Sequence, residues 1–205
     1  MKAKLRDAHK RDQRIVAAYV KAATAVFPRH FNPDCCLNGT RVAIEVLDEH
    51  FGIPCEPVPC RMFVGNKIAA DLIDAHPDAE PDEATQLAWR AAGAWMIVVD
   101  GALDESGYGR HLICVAAGTM VDSAFGQFHR PQHGILAPLV IAGEVGSSFR
   151  REGKQFVGAS DGSFAIYTRD DAEVAAREYA TLSGFQRSGH NLEVAAAVIA
   201  AMGEL

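Results

Sequence analysis

Residues 109–122 read Gly-Arg-His-Leu-Ile-Cys-Val-Ala-Ala-Gly-Thr-Met-Val-Asp, two short apolar runs (112–115 and 120–121) parted by a segment whose strong turn former is Gly118. Glycine tolerates positive φ, so the stretch is expected to close into a β-hairpin. With a loop over 115–118, Cys114 faces Thr119 and His111 faces Asp122, their Cβ atoms about 5 Å apart on one face of the sheet. A tighter turn at Gly118 and Thr119 pairs Val115 with Asp122 instead and draws the imidazole away from the carboxylate. The hairpin therefore permits a His-Asp pair, and it constrains the fold to a sheet with at least one antiparallel pair.

Residues 32–52 carry apolar positions at helical spacing, and Gly52 supplies the C-terminal stop. Either Asn32 caps this helix with Pro33 at its first position, or Asp34 caps it directly. Both choices leave a cysteine in the first turn, where unpaired amides and the positive end of the helix dipole favour thiolate over thiol. Cys36, Gly39, Thr40, Ala43 and Leu47 share one stripe, so Cys36 points toward the packed side, and small Gly39 and Thr40 permit close approach. Cys35 lies about 100° around the helix, on the side of Val42 and Val46. Asp34 opposes a thiolate, which leaves activation mainly to a histidine.

A cysteine opening a helix that ends in Gly-Ile, then a strand, then a His strand and an Asp strand, resembles the transglutaminase-like branch of the papain-like cysteine enzymes. The resemblance runs in order from Cys36 to Phe128. Residues 36–54 are similar to the nucleophile helix and the start of the next strand; 109–112 and 121–128 are similar to the His and Asp strands. Arylamine N-acetyltransferases share the order, and Asp122-Ser123-Ala124-Phe125-Gly126 is similar to a segment of theirs. No aromatic follows His111, where animal-type transglutaminases usually have one. The resemblance implies Cys36 as nucleophile, His111 as the base that later protonates the leaving group, and Asp122 as the residue orienting the ring. It implies an acyl-thioester resolved by water or an amine, with an oxyanion donor drawn from the Cys36 amide and one of Asn32, Asn38 or Gln127. The substrate class is a peptide, protein or small amide, and no cofactor is expected. The alternative is a catalytically silent member of the same fold, used for binding or assembly.

At 205 residues and 49% hydrophobic composition, the chain suits one domain, 1–205, with a sizeable core. A net charge of −6 argues against nucleic acid as partner. No apolar run reaches membrane-spanning length, and charged residues follow the first methionine, so a cytoplasmic protein with five free thiols is expected. The rest of the chain predicts helices over 14–26, 67–75, 83–92, 171–182 and 192–202. Strands are predicted over 54–64, 95–99, 156–159 and 163–167, the last two joined by a turn at Asp161 and Gly162. The loop over 100–109 borders the site and reads as a substrate wall, and Cys35, Trp95, His129 and His133 are expected around the cleft. The Ala-rich last helix is expected to pack on the sheet or on a second copy of the chain. Helices, then strands, then helices give α+β with an antiparallel sheet; the resemblance adds a papain-like core, its nucleophile helix packed on that sheet, and extra helices at both termini. Zinc is the rival reading, through Cys55 and Cys60 with His129 and His133.

Overall fold

The computed structural model describes residues 2–32, 34–76, 82–100, 110–170 and 179–203. It is α+β, and every strand pair in its seven-stranded sheet is antiparallel. The strands are β1 (Cys55–Gly65), β2 (Met96–Val99), β3 (His111–Ala116), β4 (Thr119–Asp122), β5 (Ile141–Glu144), β6 (Lys154–Gly158) and β7 (Phe164–Arg169). Their order is β5-β4-β3-β1-β7-β6. Long β1 pairs its first half with β3 and its second half with both β2 and β7.

Helix α1 (Lys2–Val26) is about twice the length its apolar pattern predicts. The pattern begins at Ile15 because only the later turns are buried, through Val16, Tyr19, Ala22, Ala23 and Val26. The earlier turns are charged helix formers whose exposed faces carry no apolar period. As Pro28 requires, the helix gives way to a short turn, Phe27–Arg29. Helix α2 (Cys36–Ala43) runs on without a break into a wider π-helical segment, Ile44–His50, and Gly52 at φ +67 closes it. The Ile53 amide then bonds back to the Leu47 carbonyl, which ends the helix where the glycine was expected to end it.

One face of the sheet, carrying Cys55, Cys114, Ala116 and Val121, packs beneath α1, α2 and the last helix, α6 (Gly189–Gly203). The other face carries Val58, Cys60, Met62, Val64, Ile113, Met120 and Tyr167 against Phe125, Phe128, Ile135 and Phe149. Period-two alternation along β1 produces both faces at once, with Val58, Met62 and Val64 buried on one of them, in the segment where the sequence predicts a strand. Helices α3 (Lys67–Ala75) and α4 (Glu83–Ala91) cover the far end of β1 through Ala69, Trp89 and Phe164. A short helix absent from the sequence expectation, α5 (Ser147–Glu152), stands between β5 and β6. Helix α6, expected on the sheet or on a second copy of the chain, buries Asn191, Val194, Ala195 and Val198 and makes most of its contacts with α1 and α2.

Between β1 and α3, Asn66 is buried and its side chain makes all four bonds open to an amide. Its Oδ1 accepts from the amides of Ala69 and Trp95, and its Nδ2 donates to the carbonyls of Gly93 and His133. Most of the expected helix over 171–182 and most of the loop over 100–109 lie outside the described residues. Among those described, no helix is long and apolar enough to cross a membrane.

Candidate active site

Cys36 is the first residue of α2 and Cys35 its N-cap, so neither Asn32 nor Asp34 caps the helix. Cys35 makes no side-chain capping bond, and the first turn of the helix carries no acidic residue. The helix lies close to the strand ends. Thr40 Oγ1 donates to the Leu112 carbonyl at 3.2 Å, and a Cβ on Gly39 would stand 2.6 Å from Ser123 Cβ. The small residues at 39 and 40 therefore set how near Cys36 approaches β3 and β4, as their position on the packed stripe suggests. Cys35 and Cys36 pack with Leu112 and Ala124, beside Phe31, Leu37, Tyr179 and Phe185. Burial, the neighbouring Cys36, and the charges of Asp34 and Asp122 push the Cys35 thiol up to about 12. This environment favours the neutral thiol at Cys35.

The hairpin adopts a register between the two considered from sequence. Cys114 pairs with Val121 and Ala116 with Thr119, around a two-residue turn at Ala117 (φ 49) and Gly118 (φ 75). Two positive φ angles make this turn match the twist of a hairpin. Continuing the register sets Asp122 opposite Ile113, so His111 meets it diagonally and not head-on. Both residues still share a face, because any turn with an even number of residues preserves that parity. His111 Nε2 stands 2.8 Å from Asp122 Oδ2, with 1% and 0% of the two side chains exposed. The oxygen lies off the line of the ring N–H, so the contact is a charge pairing more than an aligned hydrogen bond.

His111 points to the face opposite α2, yet it is the first residue of β3 and sits at the rim, where the N-terminus of α2 arrives. Burial pulls the imidazole pKa down. The Asp122 charge and hydrogen bonding, with a smaller contribution from the Cys36 side chain, outweigh burial and push it up to about 10. His111 and Asp122, from two neighbouring strands, are thus paired at the rim, and Cys36, from a third element, is among the groups that act on the ring.

Two further side chains complete the surroundings. Gln127 Nε2 lies 2.8 Å from His111 Nδ1, the nitrogen turned away from Asp122. Tyr167, on β7, donates its hydroxyl to Asp122 Oδ2 at 2.7 Å, and the Ala124 amide donates to Asp122 Oδ1 at 2.9 Å. Both carboxylate oxygens are engaged, which is what a buried charge needs. Tyr167 is absent from the sequence reading. Its one signal is a tyrosine on an apolar strand, since a buried phenol seeks a partner.

The remaining candidates stand elsewhere. Asn38 donates its amide to Asn191 Oδ1 at 3.1 Å and ties α2 to α6, so its amide is not aimed at the thiol. Asn32 and His129 are exposed. Trp95 and His133 stack face to face, 3.5 Å between centroids, on the Asn66 end of β1. That end is about 16 Å along the strand from Cys60, the partner of His111, so the pair does not line the site. The zinc reading fails on parity. Cys55 and Cys60, five residues apart on β1, face opposite sides of the sheet and belong to different clusters. Among the described residues no group of three or more His, Cys, Asp or Glu could hold a metal ion. None of the five cysteines forms a disulfide.

No family model, curated protein or solved structure matches the chain.

Proposed function

We propose that this chain is a thiol-dependent hydrolase or acyl transferase that acts on an amide through an acyl-thioester, on a transglutaminase-like core. The observation that carries the reading is His111, with Asp122 2.8 Å from one ring nitrogen and Cys36, at the start of α2, among the groups that raise its pKa. The chain order of Cys helix, His strand and Asp strand supports the choice of scaffold.

In this mechanism Cys36 gives its proton to solvent and reacts as the thiolate beside the His111 imidazolium, and the thiolate attacks the amide carbonyl carbon. The carbonyl π electrons move to oxygen, where the uncapped first-turn amides of α2 donate to it. Collapse breaks the C–N bond, and His111 delivers its proton to the departing amine. Water or an acceptor amine then attacks the thioester, with His111 as base, and the acyl group leaves sulfur. Asp122 keeps the ring aimed and offsets the imidazolium charge, while Tyr167 and the Ala124 amide hold Asp122.

The test is the rate of iodoacetamide labelling against pH for wild type, Cys35→Ala, Cys36→Ala and His111→Ala, each labelled site read by mass spectrometry. Fast labelling at Cys36 near neutral pH, slowed by His111→Ala and unaffected by Cys35→Ala, is the expected result. Slow labelling at every cysteine, or rates indifferent to His111, overturns the enzymatic reading and favours a silent binding protein on the same scaffold.

A further inference from the structure

We infer that Gln127 is a positioning residue that holds Nδ1 of His111 in the resting site and competes with Cys36 for it, so that the amide must yield before a thiolate-imidazolium pair can form. The inference rests on the proposed role of Cys36 and His111 and adds to it a restraint within the site.

An imidazole nitrogen makes one in-plane bond: it accepts through a lone pair when neutral and donates one N–H when protonated. Nε2 of His111 faces Asp122, so Nδ1 is the nitrogen open to Cys36, and Gln127 Nε2 already lies 2.8 Å from it. A carboxamide suits both ring states. It presents NH2 to a neutral Nδ1 and, turned over, its carbonyl oxygen to a protonated one. In the first state it takes the lone pair that would receive the Cys36 proton. In the second it takes the N–H that would hold the thiolate. The sulfur is disfavoured both times.

The contact is built into the chain. Gln127 belongs to a tight turn, Phe125–Phe128, whose backbone is fixed by its own amide bonding to the Ala124 carbonyl and by Arg130 Nη1 donating to the Gln127 carbonyl. Phe128 from the same turn packs its ring on His111, 5.6 Å between centroids. Among the described residues, the titratable groups around His111 are Asp122 from β4, Cys36 from α2, Tyr167 from β7, and Cys60, its register partner on β1. Gln127 adds a carboxamide, whose donor and acceptor ends exchange when the group turns over.

The experiment compares pH profiles of Cys36 alkylation in wild type, Gln127→Met, Gln127→Asn and His111→Ala, alongside the 15N shift of His111 Nδ1. Methionine keeps the length and removes the hydrogen bond; asparagine keeps an amide but withdraws it by one methylene. Both variants are expected to label about two- to tenfold faster at neutral pH, the effect of losing one competing hydrogen bond. Their midpoints are expected about 0.3 to 1 pH unit lower. Rates and midpoints unchanged or slower in both, while His111→Ala still slows labelling, overturn the restraint and leave the catalytic pair standing. Wild-type labelling that ignores His111→Ala removes both readings.

Discussion

Replacing Gly39 by alanine isolates the distance between the cysteine helix and the strand ends. The added Cβ would lie 2.6 Å from Ser123 Cβ, whereas carbon atoms in contact sit about 3.5–4.0 Å apart. Relief requires a shift of about 1 Å at the turn just after Asp122 or in α2 itself. Overpacking of this kind costs about 1–3 kcal/mol, and alanine returns about 1 kcal/mol of helix propensity. The net expectation is a loss of about 0–2 kcal/mol, with Tm lowered by up to several degrees. The functional loss is larger, because displacing a reacting group by about 1 Å costs about 100-fold. Thermal unfolding and Cys36 alkylation at neutral pH are measured on the same samples. A raised Tm together with wild-type labelling would refute the reasoning: helix propensity alone would then be at work, and the approach of α2 to Ser123 would not matter to the thiol.

Other expectations follow from the buried ring and its partners. With its thiol pushed up to about 12, Cys35 should stay unlabelled at pH 7 to 8, where Cys36 reacts, and peptide mass mapping reads this directly. Tyr167→Phe removes a hydrogen bond to a buried carboxylate and should lower stability by about 1.5–3 kcal/mol in urea unfolding. The same variant should slow Cys36 labelling less than His111→Ala does. His111 has a pKa raised from 6.5 to about 10 in the folded chain, so the folded state holds a proton that the unfolded state releases between those values. The associated stability is complete below pH 6.5 and is lost as pH rises through 10. Urea midpoints should therefore fall between pH 6.5 and 8.5, and a flat profile there would show that His111 is neutral when folded.

How much of this was legible in the sequence depends on how locally each feature is determined. Helix α2 and the alternation of β1 follow from period and stop signals within their own segments. The shared face of His111 and Asp122 was legible for the same reason, since parity needs only an even turn. The register was not. Alanine at φ 49 is an uncommon first turn residue, and nothing local chose it over a longer loop. Tyr167 reaches Asp122 because β7 pairs with β1, and that long-range pairing leaves no mark in the segment around 167. Trp95 and His133 were placed near the site by proximity in the chain, whereas Asn66 gathers them at the opposite end of β1.

The four bonds of Asn66 carry a kinetic consequence. Their partners, at 69, 93, 95 and 133, come from three separate stretches of chain, so a half-assembled set leaves a buried amide without mates. The junction works as an all-or-nothing latch: the start of α3, the turn after α4 and the loop before residue 135 lock together late, or not at all. In hydrogen exchange these stretches should open as one unit, with the Ala69 and Trp95 amides losing protection at the same denaturant concentration.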